Sequence, residues 1–271
     1  MTVGGIRKAA LAAAGTAALA VSAPLSAGDY SRPDFNFGAD GDTSIVVFRP
    51  DVHVGSLSVG GVDEPNAEWT QSARENIQSA LIEAASRQNA QLTFLDELEG
   101  ENAQVLNTYR ALFETVAGSM AVHLAGGDTL PTKEVEVVSG RSGRSRTEMQ
   151  LDWTLGEGAR QLKAETGADY AMFVYTYDSY GDGGRKAAQV AGMLGCIIGA
   201  CVVISAGVHI GYSGLVDLET GDVVWFNTDA SIGGDPREPD GAVTRVGKLM
   251  DGFPQPVAVE QVAVEQVAGA E

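Results

Sequence analysis

The residues of this chain that could do chemistry are few and far apart. Its three histidines are His53, His123 and His209, and none belongs to a His-Glu-x-x-His zinc motif. The chain also lacks the Gly-x-Ser-x-Gly elbow that marks a nucleophilic serine in one large class of hydrolases. Any catalytic site would therefore have to assemble from dispersed Asp and His residues. We predict no catalytic, cofactor-binding or metal-binding residue.

Two acidic segments resemble ligand sites only in part. Residues 178–182 (DSYGD) begin like a calcium loop, but Tyr180 stands at the third ligand position and Gln189 stands where a bidentate glutamate is needed. Residues 96–99 (DELE) bring three carboxylates close together in sequence. We interpret the first segment as a turn that leaves a strand and the second as a solvated acidic turn.

The two cysteines, Cys196 and Cys201, are five residues apart. On a regular helix, positions i and i+5 point to different faces, so a disulfide between them would require a break in the helix. Two buried thiols that act as small apolar side chains are the other interpretation. Two cysteines without nearby His or carboxylates are too few ligands for zinc.

The composition excludes one class of partner. The chain has 271 residues, 44% of them hydrophobic, which is ample for a sizeable core. It contains 18 Lys and Arg residues and 36 Asp and Glu residues, which gives a net charge of -18. Because so acidic a surface repels phosphate backbones, we expect no nucleic-acid partner.

The first residues predict export. Arg7 and Lys8 precede an apolar run at residues 9–21, and residues 25–27 (LSA) supply the small side chains of a cleavage site. We therefore predict a signal peptide at residues 1–27 and a location in the periplasm or at the outer membrane. No cysteine lies near the cleavage site, so a lipid anchor is not predicted.

The elements that must position these residues alternate along the chain. We predict strands at residues 44–48, 91–95 and 168–177, helices at about 66–88, 102–124, 154–167 and 241–250, and a final hairpin whose turn is residues 219–222 (ETGD). Alternating elements with an antiparallel hairpin indicate an α/β fold, in which a mixed sheet is layered with helices. The predicted domain covers residues 44–252, between an irregular N-terminal arm (28–43) and a low-complexity tail (253–271).

Three further segments carry local predictions. Residues 52–59 alternate apolar and polar side chains, as in an exposed hairpin arm. Residues 132–150 are rich in polar and basic side chains, which is typical of a connector. Residues 154–157 (TLGE) match a capping box, in which Thr154 and Glu157 satisfy each other's backbone N–H groups at a helix start.

An apolar insert occupies residues 187–204, where only Gln189 is clearly polar. Three interpretations stay open: a helical hairpin packed on the sheet, a lid or oligomer contact, and an element that enters a membrane. If the insert contacts a partner, the side chains that would do so are Met193, Leu194, Ile197, Ile198, Val202 and Val203.

Residues 166–169 (TGAD), the insert after the next strand, and residues 214–226 (GLVDLETGDVVWF) resemble a known superfamily. It comprises the CsgG-like curli-secretion proteins and the amino-terminal domain of TolB. The resemblance implies an exported, envelope-associated, non-enzymatic protein that self-associates. It transfers no active-site residue.

These observations together predict an exported, non-catalytic envelope protein that acts through protein–protein contacts or self-association, with membrane contact left open. The alternative is a periplasmic enzyme whose site assembles from dispersed Asp and His residues. A pocket that gathers histidines with carboxylates would favour the enzyme. A flat apolar surface around residues 193–203 would favour association.

Overall fold

The computed structural model describes residues 28–32, 35, 37, 43–87, 91–95, 103–125, 129–138, 143–197, 205 and 207–254. Within these residues the chain is an α/β protein, with helices on both faces of a mixed sheet, and the predicted fold class is confirmed at that level. The predicted signal peptide and residues 255–271 of the predicted tail lie outside the described residues.

The strands are β1 (Gly28–Ser31), β2 (Ser44–Val47), β3 (Asp51–Leu57), β4 (Asp63–Pro65), β5 (Gln91–Phe94), β6 (Thr132–Val138), β7 (Ser145–Leu151), β8 (Tyr170–Gly181), β9 (Gly207–Asp217) and β10 (Val223–Asp229). The helices are α1 (Ala67–Arg87), α2 (Ala103–Ala125), α3 (Arg160–Thr166), α4 (Gly183–Ile197) and α5 (Pro239–Leu249).

The longest strand, β8, organises the main sheet. One of its edges pairs in parallel first with β2 and then with β3, and its other edge pairs antiparallel with β9. The main order is β1-β10-β9-β8-β2-β5, with β4 added to β3. Strands β6 and β7 pair with each other in a separate two-stranded sheet, which we call the ribbon.

Alternating side chains of β8 feed two cores, because successive residues of a strand point to opposite faces. Met172 and Val174 join the core beneath α1 and α5. Ala171 and Phe173 join the core beneath α2, where Phe113 of α2 stacks on Phe173 at 4.3 Å between ring centroids. Strand β8 is therefore apolar on both faces, as a central strand should be.

Several local signals are confirmed. Asn66 caps α1, since its Oδ1 accepts a hydrogen bond from the Trp69 backbone N–H at 2.9 Å. Helix α3 ends at Gly167, whose φ of 69° is the left-handed conformation of a helix C-cap. The β9–β10 turn has Gly221 at a φ of 80°.

Three of the local predictions are wrong. Residues 52–59 do not form an exposed arm: Val52 and Val54 of β3 are buried, because β3 lies between β8 and β4. Residues 132–150 are not a connector but most of the ribbon. The capping box does not form either: the Thr154 hydroxyl accepts a hydrogen bond from the Gly156 backbone N–H, and Thr154 bridges to Asp222 on the β10 side.

The arm and the tail are more firmly attached than predicted. Residues 28–31 form edge strand β1 on β10, and Phe35 and Phe37 are buried in the core beneath α5. Phe253, which we placed in the tail, packs edge-on against Trp225 at 5.1 Å between ring centroids. Aromatic side chains in these polar stretches are the feature that anchors them.

Candidate functional site

A buried ion pair joins the sheet to α5. Asp178 of β8 and Arg245 of α5 both have fully buried side chains, and two hydrogen bonds of 2.7 and 2.9 Å connect them. Arg245 also donates to the carbonyls of Gly233 and Gly234 at 2.9 and 2.6 Å. Because each charge is compensated and hydrogen-bonded, both can be buried without water.

His209 of β9 contacts this pair as a third polar group. Its Nδ1 lies 2.7 Å from Asp178 Oδ1, and its ring lies 4.8 Å from that of Tyr180. A His–Asp pair can orient a general base. In the described part of the chain, however, no hydroxyl or thiol hydrogen-bonds to His209, and Arg245 already neutralises Asp178. This geometry favours a structural role.

The polar side chains next to this ion pair interact mainly with one another. Arg237 lies over the rings of Tyr180 and Trp69, at 3.7 and 4.6 Å, and forms an ion pair with Asp235 at 2.6 Å. Burial alone would raise the pKa of Asp235, but hydrogen bonds from Arg237 and Tyr180 outweigh it and lower that pKa to about 2. Burial and neighbouring carboxylates raise the pKa of Tyr180.

A second polar cluster lines a small cleft between α2 and the sheet. Its lining consists of aromatic and charged side chains: Phe48, Arg49, Asp51, Arg110, Phe113, Glu114, Phe173, Val174, Tyr175 and Tyr212. The cavity volume is about 10 Å³, which is room for a single water molecule. No substrate-sized molecule fits without movement of α2.

Two carboxylates meet at this cleft. Burial raises the pKa of Glu114, and the charge of Asp51 and a hydrogen bond between the two carboxyl groups raise it further. Arg110, 3.8 Å away, and His53 oppose this effect. A like charge this near disfavours the ionised form of Glu114. Burial likewise raises the pKa of Tyr175 beside them, to about 12.

The three histidines lie in three different environments. His53 lies 3.1 Å from Asp51, next to the one-water cleft. His209 contacts Asp178, and His123 of α2 lies edge-on to Trp153 at 6.0 Å. In the ranges that the structure describes, no group of three or more His, Cys, Asp or Glu side chains is arranged to hold a metal ion.

The apolar insert leaves the sheet at a surface that we call the insert end: the β3–β4 turn, the first part of α4 and the start of β9. Asp182 Oδ1 caps α4 by accepting a hydrogen bond from the Arg185 backbone N–H at 2.6 Å. The Arg185 side chain donates to the carbonyls of Ser58 and Ser205 at 3.1 and 2.8 Å. Arg185 therefore ties the three parts together.

The insert end exposes apolar side chains. They are Val59 (55% exposed), Val62 (61%), Val190 (57%) and Val208 (38%). Residues 178–181, which we predicted as a turn, continue β8 and carry the sheet out to this end. The turn prediction is wrong because the Asp178 side chain forms a buried ion pair with Arg245, which is remote in sequence.

The predicted contact residues are described only in part. Met193, Leu194 and Ile197 lie in α4, and the structure describes their helical backbone but not their side chains. Ile198, Val202, Val203 and Cys201 lie outside the described residues, and the side chain of Cys196 is also not described. None of the helices within the described ranges combines the length and the hydropathy that a membrane crossing needs. The three interpretations of the insert therefore stay predictions.

Sequence reasoning missed the role of Arg245. A signal for it exists: in α5, the positions 242, 245, 246 and 249 follow the i, i+3, i+4, i+7 spacing of a buried helix face. Because a buried charge is costly unless it is paired, an arginine in such a row indicates a buried carboxylate partner. The pattern shows that a partner is needed but does not identify Asp178.

Comparisons with known proteins give a distant likeness. No protein-family model matches the chain, and no curated protein matches it. Two structures of the PelC dodecamer from Paraburkholderia phytofirmans are similar to it at 10% identity, with TM-scores of 0.35 and 0.34. The first match covers 83% of this chain and 96% of that one, and the second covers 85% and 98%. A DUF4136 family protein from Bacteroides thetaiotaomicron is similar at 10% identity and a TM-score of 0.31, over 84% and 95% of the two chains.

These findings correct the resemblance drawn from the sequence. The similar structures are PelC and DUF4136 proteins, so the assignment to the CsgG-like and TolB amino-terminal superfamily is wrong. The residues that carried it serve local geometry: Gly167 ends α3, and Gly221 forms the β9–β10 turn. Such needs recur in unrelated α/β proteins. TM-scores of this size support no conclusion about function or assembly.

Proposed function

We propose that this chain is an exported, non-catalytic protein that works by binding protein partners, itself included, through the insert end. The observation that carries the proposal is the group of exposed valines at residues 59, 62, 190 and 208, next to the apolar insert. Exposed apolar side chains grouped on otherwise polar surfaces are characteristic of protein contacts.

The polar clusters support the same proposal indirectly. The charges of Asp178, Arg245 and Asp235 are satisfied by neighbours within the chain. The cleft at Asp51 and Glu114 has room for one water molecule, and His53 is the histidine that lies next to it among the described residues. The geometry thus favours association over the alternative of an enzyme built from dispersed Asp and His residues.

Charge favours a protein over a lipid surface as the partner. The chain carries a net charge of -18, and anionic headgroups repel such a surface. Two cations lie in the first turn of α4: Arg185 is turned toward the carbonyls of Ser58 and Ser205, and Lys186 is exposed. An apolar protein surface is a more favourable contact for these valines.

The proposal is tested by fractionating the native cell envelope, crosslinking the fractions and determining the mass of each product. The wild-type chain is expected in the envelope fraction as a complex whose crosslinks lie at the insert end. The double variant Val59→Asp/Val190→Asp should reduce the yield of that complex at least tenfold, because two buried carboxylates would oppose the contact.

The matched control is Ile82→Asp/Val243→Asp, which places the same charges on exposed positions of α1 and α5. It should leave the complex unchanged. A wild-type chain that is a soluble monomer, or insert-end crosslinks that survive Val59→Asp/Val190→Asp, would refute the role of the insert end. If the chain is recovered with lipid and without a crosslinked protein, its partner is a membrane and not a protein.

A further inference from the structure

The ribbon has two open edges. Within the described residues β6 and β7 pair only with each other, from Thr132 opposite Leu151 to Val138 opposite Ser145. The ribbon is tied to the domain at its base, where Lys133 Nζ lies 3.2 Å from Asp222 Oδ1. A two-stranded sheet is marginal by itself, and an open edge is a template for another strand.

The hydrogen-bond pattern shows which backbone groups face outward. The Asp152 N–H donates to the Pro131 carbonyl at 2.9 Å, which makes that pair a hydrogen-bonded one. Bonded and non-bonded pairs alternate in an antiparallel ribbon. The N–H and C=O groups of Ser145, Thr147 and Met149 must therefore point away from β6. The N–H of Leu151 is the next one in this alternation, and it donates to the Tyr30 hydroxyl at 3.0 Å. This hydrogen bond confirms which residues of β7 have outward-facing backbone groups.

We infer that two copies of this chain pair along β7, antiparallel, across a two-fold axis at Thr147. In this register Thr147 bonds to the Thr147 of a second copy, and Ser145 bonds to Met149, so every outward group from 145 to 149 is satisfied. The two ribbons become one four-stranded sheet. A two-fold contact of this kind closes on itself and adds no further copies.

Charge complementarity selects this edge and this register. Arg146 and Glu148 form an ion pair within β7 at 2.5 Å. With Thr147 at the axis, each Arg146 lies directly opposite a Glu148 of the other copy, in non-hydrogen-bonded pairs whose side chains are close. Two ion pairs thus become one network of four charges.

Competing arrangements with the axis at Ser145, Glu134 or Glu136 place like charges together, and an axis at Met149 would need the Leu151 N–H that already donates to the Tyr30 hydroxyl. A two-fold axis at Ser145 sets Arg144 opposite Arg146. On the β6 edge, an axis at Glu134 or at Glu136 sets that exposed carboxylate against its own copy. Like charges directly opposite each other destabilise a strand pair. The β6 edge is therefore protected against self-pairing, and the β7 edge is not.

The same register covers apolar surface. Met149 is 48% exposed and Val138 is 62% exposed, and both lie on the same face of the ribbon. In the paired sheet, Met149 of one copy faces the small Ser145 of the other, next to that copy's Val138. The long thioether side chain can then reach across Ser145 to contact Val138.

The dimer extends the self-association of the proposed function to a surface apart from the insert end, so the two can fail separately. The first test is Thr147→Pro, which removes the outward N–H at the axis and leaves the β6–β7 bonds in place. Light scattering of the full chain is carried out with Val59→Asp/Val190→Asp present, so that the insert end does not contribute. It should give twice the monomer mass without Thr147→Pro and the monomer mass with it. The matched control is Glu136→Pro, opposite Thr147 on the other edge, which should remain dimeric.

Charge reversal gives a test that does not depend on proline. Arg146→Glu and Glu148→Arg should each weaken the dimer at least tenfold, because like charges then meet across the axis. The double variant Arg146→Glu/Glu148→Arg restores opposite charges in this register and should recover the dimer. The insert-end variant Val59→Asp/Val190→Asp should leave this dimer intact.

Crosslinking locates the contact. Hydrogen-bonded antiparallel pairs have Cα atoms about 5.5 Å apart, which a disulfide spans. Thr147→Cys should form an intermolecular disulfide on mild oxidation, and Glu136→Cys and the wild type should not. A wild-type chain that stays monomeric, a dimer unchanged by Thr147→Pro and by both charge reversals, or β7 bound only to a different protein would overturn the inference.

Discussion

A carboxylate with no solvent access, such as Asp178, is stable only because Arg245 and His209 reach it from two other elements. Each group needs the others, since an isolated charge in an apolar interior costs several kcal/mol. The same interactions place α5 against the strand that carries the insert. The position of one helix thus depends on a few polar atoms.

Removal of Arg245 tests this dependence. We expect Arg245→Met to lower the free energy of unfolding by about 3–5 kcal/mol, because it leaves the Asp178 carboxylate buried without its partner. The double variant Asp178→Asn/Arg245→Met should be less destabilised than Arg245→Met, since it buries no charge. Urea denaturation at neutral pH measures both. A double variant as unstable as the sum of its two single variants would refute the coupling.

Glu114 predicts a dependence of stability on pH. Its pKa in the folded chain is raised above the usual 4.5 by burial and by Asp51, so the folded state holds a proton that the unfolded state releases. The stability from this proton is fully present below pH 4.5 and is lost as the pH rises through the higher folded pKa. Glu114→Gln should therefore be more stable than wild type at about pH 7, and the gain should shrink toward about pH 4.

The measurement is the free energy of unfolding at several pH values. Glu68→Gln, at an exposed position of α1, is the control and should show no such trend. A Glu114→Gln variant whose stability parallels wild type at every pH would show that the pKa of Glu114 is not raised in the folded chain.

Individual residues show where prediction from the sequence stops. Asn66, Gly167 and Gly221 were predictable because a cap or a turn depends on neighbours within a few residues. The contact between Asp178 and Arg245 joins positions 67 apart, and one sequence carries no record of such a pair. The raised pKa of Glu114 was not predictable for the same reason, because Asp51 and Glu114 are far apart in sequence.

At the scale of elements, the β9–β10 hairpin meets the loop before α3 in a backbone contact. A Cβ added to Gly221 would collide with the carbonyl oxygen of Gly156, and Gly221 also has a φ of 80°. Gly167 has a similar φ of 69° but no atom within 4 Å of an added Cβ. A substitution at Gly167 therefore tests backbone strain alone, whereas a substitution at Gly221 tests strain and collision together.

We expect Gly167→Ala to cost about 1–2 kcal/mol, the usual cost of the left-handed conformation for a residue with a side chain. Gly221→Ala should cost at least about 1 kcal/mol more, because a backbone atom must shift. Thermal and urea denaturation compare the two. Equal losses would mean that the hairpin and the loop move apart freely.

Elements that pair locally or bury a face were predicted well, and elements defined by their partners were not. Strands 44–48 and 168–177 and helices α1 and α2 follow clear apolar patterns. Strand β3 and the ribbon alternate in the same way, but alternation does not tell whether the neighbour is solvent or another strand. The neighbour of β3 is β8, which extends four residues further than predicted.

At the scale of the whole molecule, the helices among the described residues pack on the two faces of the main sheet, and the insert end and the ribbon carry exposed side chains. The contact that the sequence favoured, the insert, leaves from that end. The contact at the β7 edge was not visible in sequence, because it depends on which backbone groups point outward. Both contacts would have to form against the repulsion between acidic molecules.

That net charge also acts on the folded chain itself. With a charge of -18, compaction brings like charges together, and salt screens them over a Debye length that falls from about 30 Å at 0.01 M to about 3 Å at 1 M. We therefore expect the melting temperature at neutral pH to rise with sodium chloride across this range. Near pH 4.4, where the net charge is close to zero, the rise should largely disappear. Calorimetry at the two pH values measures this difference. Sodium sulfate serves as the control, because it also strengthens apolar burial and should raise the melting temperature at both. A sodium chloride effect of equal size at both pH values would mean that screening of self-repulsion is not its cause.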